Sequence, residues 1–178
     1  MKMNKTKSGI KTTGVPSQEE LEASPGYPKA EDISRRPLVV IECVEDIPCN
    51  PCEVACPRGA IFVGTPITNL PVFYAEKCDG CGRCIPLCPG QAIFRVDMTY
   101  SKEKATVSFP YEFLPLPKKG DPVKGVNRAG EVVCDAMVLR VQNPKGFDHT
   151  AVITLTVPKG VAMEVRSLKR LAPSKGNE

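Results

Sequence analysis

The sequence predicts an α+β protein: a cysteine-rich module built of two similar halves, followed by a small antiparallel β sheet or barrel and preceded by an extended N-terminal arm. Three observations predict it. Eight of the nine Cys fall between residues 37 and 98. Within that stretch the chain repeats itself at an offset of 32, so that Cys49, Cys52 and Cys56 match Cys81, Cys84 and Cys88. Beyond residue 99 there are no such runs, and apolar residues alternate at the period of a half-buried strand.

Taken in order, residues 1–36 form the expected arm, extended or bound to a partner. They carry Lys2, Lys5, Lys7 and Lys11, then Pro16, Pro25 and Pro28, with few apolar side chains. Ser17 followed three residues later by Glu20 reads as a capping box for one short helical turn. The basic N-terminus has no apolar core of a secretory leader, and no apolar run reaches the ~20 residues of a membrane span. A cytoplasmic setting is therefore expected, where clustered Cys bind metal or do redox work rather than form disulfides. The 42% hydrophobic content, spread over 178 residues with both charge signs interspersed, excludes a wholly disordered chain.

Residues 37–98 hold the duplication, and it reaches beyond the Cys. Cys56-Pro-Arg-Gly-Ala-Ile-Phe matches Cys88-Pro-Gly-Gln-Ala-Ile-Phe, and each half follows a strand-like run, Leu38-Val-Val-Ile-Glu and Pro71-Val-Phe-Tyr-Ala. A repeat in both Cys and non-Cys positions implies two copies of one supersecondary unit. The spacing Cys78-x2-Cys81-x2-Cys84-x3-Cys88-Pro89 has a geometric logic. Two-residue gaps let a tight loop present three thiolates to one centre. The three-residue gap sets Cys84 and Cys88 about one helical turn apart, at ~1.5 Å rise per residue, and Pro89 stops that turn.

This run resembles the bacterial-type dicluster ferredoxins, whose signature it is for a [4Fe–4S] site. The resemblance covers about a third of the chain, and implies a pseudo-twofold dicluster ferredoxin module at residues 37–98 holding two [4Fe–4S] clusters. In such proteins the fourth Cys of each run ligates the other cluster. Carried over, the second cluster takes Cys78, Cys81, Cys84 and Cys56, and the first takes Cys49, Cys52, Cys88 and one more ligand. At that last ligand the sequence departs from the pattern, because Asp46 stands where Cys78 stands in the other half. Three readings stay open. Cys43 ligates through the longer loop Val44–Pro48, as a soft thiolate suits iron–sulfur. Alternatively Asp46 ligates by oxygen, or the site holds a three-iron [3Fe–4S] cluster and Cys43 is a buried strand residue.

More loosely, Ile-Glu-Cys43 and Ile-Pro-Cys-Asn-Pro-Cys52 resemble iron–sulfur subunits that accompany flavin-dependent amino-acid dehydrogenases of the proline and sarcosine type. That likeness implies a hetero-oligomer in which the chain passes single electrons from a flavin-containing dehydrogenase subunit to an acceptor, with no catalytic residues of its own. The alternatives are a free soluble ferredoxin, or a redox-sensing or nucleic-acid-binding protein with structural clusters. A net charge of +4 and 6% aromatic residues argue against nucleic acid. Two zinc sites would use a similar Cys count but do not require the x2, x2, x3-Cys-Pro run, and a dithiol redox motif needs only one Cys-x-x-Cys.

Residues 99–178 are the β-rich domain. Ala151, Ile153, Leu155 and Val157 alternate with Val152 and the threonines, and Val161, Met163 and Val165 alternate after a Pro158-Lys-Gly160 turn, which predicts a hairpin. Glu131 to Val141 is another strand, entered through Asn127-Arg-Ala-Gly130. Cys134 falls mid-strand and reads as a small buried hydrophobe. His149 and the lysines at 118, 119, 145 and 159 read as loop residues. Charge is unevenly divided, with +2 on residues 1–36, −3 on 37–98 and +5 on 99–178, so the basic β domain is expected to dock an acidic partner or to serve solubility.

The open ligand yields a test. EPR of anaerobically purified protein should lose the four-iron signature of the first cluster in Cys43→Ser and keep it in Asp46→Ala. An unchanged spectrum in Cys43→Ser removes Cys43 from the ligand set.

Overall fold

In a computed structural model, residues 9–172 are described; the expected arm residues Lys2, Lys5 and Lys7 lie outside them. Strand β1 (Leu38–Ile41) opens a seven-stranded antiparallel sheet that also contains β4 (Ile93–Asp97), β5 (Lys104–Tyr111), β6 (Pro122–Val126), β7 (Val132–Gln142), β8 (Ala151–Pro158) and β9 (Ser167–Leu168). Their order across the sheet is β1-β4-β5-β8-β7-β6-β9. A two-stranded ladder of β2 (Ile61–Phe62) with β3 (Val72–Phe73) stands apart from it. The large sheet curls, bringing β9 against β5.

The sequence repeat reappears as hydrogen bonding. Ile61 pairs with Phe73 and Phe62 with Val72 in the small ladder, while Ile93 pairs with Ile41 and Phe94 with Val40 in the large sheet. Every residue of one ladder lies 32 positions from its counterpart in the other, with the halves exchanged. The bonds beyond the ladders follow the same rule: Tyr74 N–H donates to the Ala60 carbonyl at 2.9 Å, and Glu42 N–H donates to that of Ala92 at 2.8 Å. Each copy's first strand therefore closes the other copy's last strand. The left-handed residue after each Cys-Pro is equivalent too, Gly59 at φ 58° and Gln91 at φ 52°.

Strand β1 is buried on both faces, which explains its unbroken apolar run. Val40 joins a core with Phe94, Val96, Val107, Ile153 and Leu155. Val39 and Ile41 join a second core that contains Cys52, Cys78, Cys84, Ile61 and Ile85. The sheet runs without a break across residue 98, since β4 pairs with β5 through Arg95–Asp97 and Thr106–Ser108. The cysteine-bearing segment and the C-terminal strands thus share one sheet.

Two expectations need correction. Residues 9–36 are not extended. They form α1 (Ile10–Thr13), α2 (Gln18–Ala23) and α3 (Ala30–Arg35), and they pack on the chain's own body. The capping box is present, with Ser17 Oγ accepting from Glu20 N–H and the Glu20 carboxylate accepting from Ser17 N–H. It starts a turn whose Leu21 is 1% exposed, and Ile33 of α3 enters the β core. Two well-placed apolar side chains were enough to dock a segment of otherwise polar composition. Residues 161–165 are likewise not a strand. A 3-10 turn at Lys159–Val161 leads into a helical turn in which Val165 N–H donates to the Val161 carbonyl, and β9 then pairs with β6 instead of β8. Over five residues, apolar positions at 161, 162 and 165 satisfy an i, i+4 pattern as well as alternation. The strands Glu131–Val141 and Ala151–Val157 form where expected, and Asn127 turns the chain by accepting Ala129 and Glu131 N–H on its Oδ1.

One polar cluster joins the two ends of the sheet. The Glu42 carboxylate follows β1 and is buried between Arg128, from the β6–β7 turn, and Arg166, just before β9. Arg128 grips it with both Nε, 2.7 Å from Oε2, and Nη2, while Arg166 Nε lies 2.7 Å from Oε1. Arg166 also stacks over the Phe94 ring at 4.9 Å. Removing one partner of a buried pair strands the remaining charge, at a cost of about 3–5 kcal/mol. Glu42→Ala should lower the unfolding free energy measured by urea titration by that amount, whereas Lys124→Ala, which breaks the exposed pair with Asp135, should leave it nearly unchanged.

Candidate metal centre

Eight Cys gather in the module, and the chain's turns sort them into two groups. Cys52 sits in α4 (Pro51–Ala55), started by Pro51 in its first turn, with Cys49 just before it and Cys56 capping its end. Cys43 lies just after β1, beyond Glu42. Cys78 ends a 3-10 turn at Ala75–Lys77, and Cys81, Cys84 and Cys88 follow through the left-handed Gly80 and Gly82. A Cβ on Gly80 would lie 2.7 Å from the Pro37 carbonyl, so this loop can approach β1 so closely only with glycine there.

Mutual repulsion of the thiols reveals which Cys face one another. Burial first, then Cys88 and Cys49, push the Cys43 thiol above its ordinary value. Burial and then Cys88 do the same to Cys49. Burial, with Cys88 the next cause and Cys49 and Cys43 adding less, pushes Cys52 up to about 11. These four form one group. In the other, Cys84 is pushed far up by burial and then by Cys78, Cys81 and Cys56, and Cys81 is raised chiefly by burial. The grouping gives Cys56 to the second half's set and Cys88 to the first half's, an exchange of fourth members between the copies.

Backbone N–H groups point at the sulfurs. Ala60 N–H donates to Cys56 Sγ at 3.2 Å and Ala92 N–H to Cys88 Sγ at 3.4 Å, again at the repeat offset. Gly80 N–H donates to Cys78 Sγ at 3.4 Å. The backbone N–H of Glu45, also two residues downstream, works against burial at the Cys43 thiol and lowers it. Asp46, the residue aligned with Cys78, is exposed on the loop beyond.

Cys56, Cys78, Cys81 and Cys84 line one small, partly open cavity with Val39 and Ile61 in its wall. Among the described residues, no three or more His, Cys, Asp or Glu side chains converge on a single metal-ion position. Soft thiolates around a shared space, with N–H groups aimed at their sulfurs, fit a polynuclear iron–sulfur group, in which each thiolate binds a different iron. On the first group's side, Ile47, Pro48, Cys49, Pro51, Ile67 and Pro89 line an open cleft of about 540 Å³. Cys134 is elsewhere, on β7 opposite Gly125, packed against the β core. His149 takes a left-handed conformation in the turn before β8.

Residues 43–99 match the model of the LdpA Fe-S cluster-binding domain. The chain is 37% identical over 54 residues to ketoisovalerate oxidoreductase subunit VorC of Methanothermobacter marburgensis, covering 28% of this chain and 68% of that one. The chain is a ferredoxin-type iron–sulfur protein. It is also 30% identical over 106 residues to polyferredoxin protein MvhB of Methanothermus fervidus, covering 60% of this chain and 23% of that one, and 24% identical over 110 residues to a ferredoxin of Mycolicibacterium smegmatis, covering 62% and 98%. The chain thus spans under a quarter of the length of the longer curated relatives it matches. No solved structure matches it significantly. This ferredoxin-type chain carries an iron–sulfur-binding domain and, among its described residues, contains no helix long and apolar enough to cross a membrane.

The spacing of the eight Cys is visible in the sequence, but the residues behind them are not. Ser24, Arg128 and Arg166 carry no local signal, since their partners lie 19 to 124 residues away. Glu42 had one signal, a carboxylate set between Ile41 and Cys43 at the end of a fully apolar run. Cys84→Ala should abolish the second group's visible absorbance in anaerobically prepared protein, and Cys134→Ala should leave absorbance and iron content at wild-type values.

Proposed function

We propose that the chain holds two [4Fe–4S] clusters, the first on Cys43, Cys49, Cys52 and Cys88 and the second on Cys56, Cys78, Cys81 and Cys84. In this reading it passes single electrons, as a subunit, from a flavin-containing dehydrogenase to an acceptor. The observation that carries the two-cluster reading is that Cys56 lies with Cys78, Cys81 and Cys84 around one cavity, while Cys88 lies near enough to Cys43, Cys49 and Cys52 to perturb their thiols. Bound there, the clusters supply reversible one-electron chemistry. The protein's own residues do the rest. Val39, Ile61 and Ile85 keep water from the sulfurs, and the N–H groups of Ala60, Gly80 and Ala92 stabilise negative charge on them. Shared membership of both halves fixes the separation of the two sets.

A partner is supported by what the module leaves uncovered. Val54 is 80% exposed in α4, beside Cys52, and Ile47, Phe62, Ile67 and Leu87 are exposed on the same segment. Apolar side chains gathered around a redox site suit a lasting protein contact. VorC is itself an oxidoreductase subunit. A free soluble ferredoxin is the second reading, favoured by one observation: α2 and α3 pack on this chain's own core and leave residues 18–35 no need of a partner.

Anaerobic affinity purification from native extract decides between them. The subunit reading expects a co-purifying flavoprotein whose flavin reduction by substrate precedes reduction of the clusters. Elution of all iron–sulfur absorbance near the 19.3 kDa of the chain alone would overturn it.

A further inference from the structure

Cys43 is pinned from two directions by segments that lie outside the cysteine-rich repeat. From the N-terminal side, Ser24, the residue that ends α2 and is itself buried, donates its hydroxyl to the Cys43 carbonyl at 2.9 Å. From the C-terminal side, Arg128 and Arg166 hold the carboxylate of Glu42, the residue bonded to Cys43, and Glu42 N–H is fixed on the Ala92 carbonyl. Arg128 donates also to the Met163 carbonyl, though at 3.4 Å, which ties the same guanidinium to the turn before β9. The counterpart of Glu42 in the other half is Tyr74, whose backbone bond to Ala60 is the same but whose side chain carries no charge and has the Lys77 ammonium above its ring, at 4.3 Å. The carbonyl equivalent to that of Cys43, that of Ala75, likewise accepts from an arm side chain, Arg36 Nη2, so what is peculiar to one half is the buried Glu42–Arg128–Arg166 cluster. That half is the one in which the loop to the next Cys is longer and the aligned position holds Asp46.

We propose that Ser24, Glu42, Arg128 and Arg166 are positioning residues that compensate for the displaced ligand, holding Cys43 where a regular run would place a Cys. The physical need is plain. Between Cys43 and Cys49 five residues intervene, against two between Cys78 and Cys81, and a longer loop leaves its end thiol more conformations to lose on ligation. Anchoring the carbonyl of Cys43 and the side chain of its neighbour removes that freedom before the metal binds, the ordering a preorganised site requires. A ligand's rigid support governs how tightly it holds its metal, and loss of such support typically weakens affinity ~10–100-fold. On this account the end of α2, the β6–β7 turn and the turn before β9 have a second role beyond packing: they support the first cluster's coordination at a distance.

The proposal rests on the reading of Cys43 as a ligand, and the experiment separates the two. Holoprotein is prepared anaerobically as the full chain, and iron release to a ferrous-iron chelator is followed together with EPR. Ser24→Ala and Arg128→Gln should each release iron from one cluster about 10-fold faster than wild type, leaving a three-iron signal, while the second cluster keeps its wild-type rate. Val138→Ala thins the β core without touching Glu42 or Cys43, and it should release iron from both clusters at wild-type rates even where its urea midpoint falls as far. Parallel loss of both clusters in Ser24→Ala and Arg128→Gln, or the same selective loss in Val138→Ala, would show that the contacts act only on stability. Wild-type release in Ser24→Ala and Arg128→Gln would overturn the proposal outright. Failure of the ligand reading looks different: Cys43→Ser would itself keep a four-iron first cluster.

Discussion

The Glu42 carboxylate lies out of water between two guanidinium groups, and that arrangement constrains which parts of the chain can move independently. Desolvating three charges is expensive, and their attraction offsets the cost only when all three meet in good geometry. Arg128 and Arg166 come from the β6–β7 turn and from the turn before β9, whereas Glu42 ends the strand that leads into the first cysteine group. Any slip of β1 against β4 by one residue would turn Glu42 away from both partners and leave it buried alone. The cluster therefore selects one register in a strand whose own side chains, apolar on both faces, specify register weakly. The stacking of Arg166 on Phe94 links the same charge to the strand that pairs with β1.

Around that lock the two cores have different tasks. The β core of Val107, Phe109, Ile153 and Leu155 is an ordinary apolar interior built by strand alternation. The other core mixes Ile41, Ile61, Ile85 and Ile93 with Cys52, Cys78 and Cys84, so its packing and its metal chemistry share the same side chains. Burial is the leading cause of the raised thiols there. The neutral thiol is favoured until a metal displaces the proton, which couples loading of the site to proton release. Because β1 contributes Val40 to one core and Val39 and Ile41 to the other, the two interiors are joined through a single strand.

Which features could be read in the sequence follows from the range of the forces involved. The cysteine groups were legible because a metal cluster imposes fixed short spacings, and the duplication displayed that spacing twice. Strands β7 and β8 were legible because eight or more alternating residues outweigh local ambiguity. The turn at 161–165 was not, because five residues cannot distinguish period two from a single helical turn. The docking of residues 18–35 escaped composition altogether, since Leu21 and Ile33 carry it and the remaining side chains are polar. Ser24, Arg128 and Arg166 were invisible for a simpler reason: their bonds join residues far apart in the chain, and no periodicity marks a long-range ion pair. The same gap separates the legible Cys43 from the contacts that hold it.

The crossed ladders also bear on how the chain comes to be folded. Strand β1 must wait for β4, about fifty residues further along, before either of its edges is paired. During synthesis from the N-terminus, a segment of four apolar residues destined for full burial is exposed until most of the repeat has emerged. Neither copy can complete its own ladder, so the first half does not fold ahead of the second. A chain stalled between residues 62 and 93 would present an unpaired strand edge and unassembled thiols together, the combination most prone to aggregation and to oxidation.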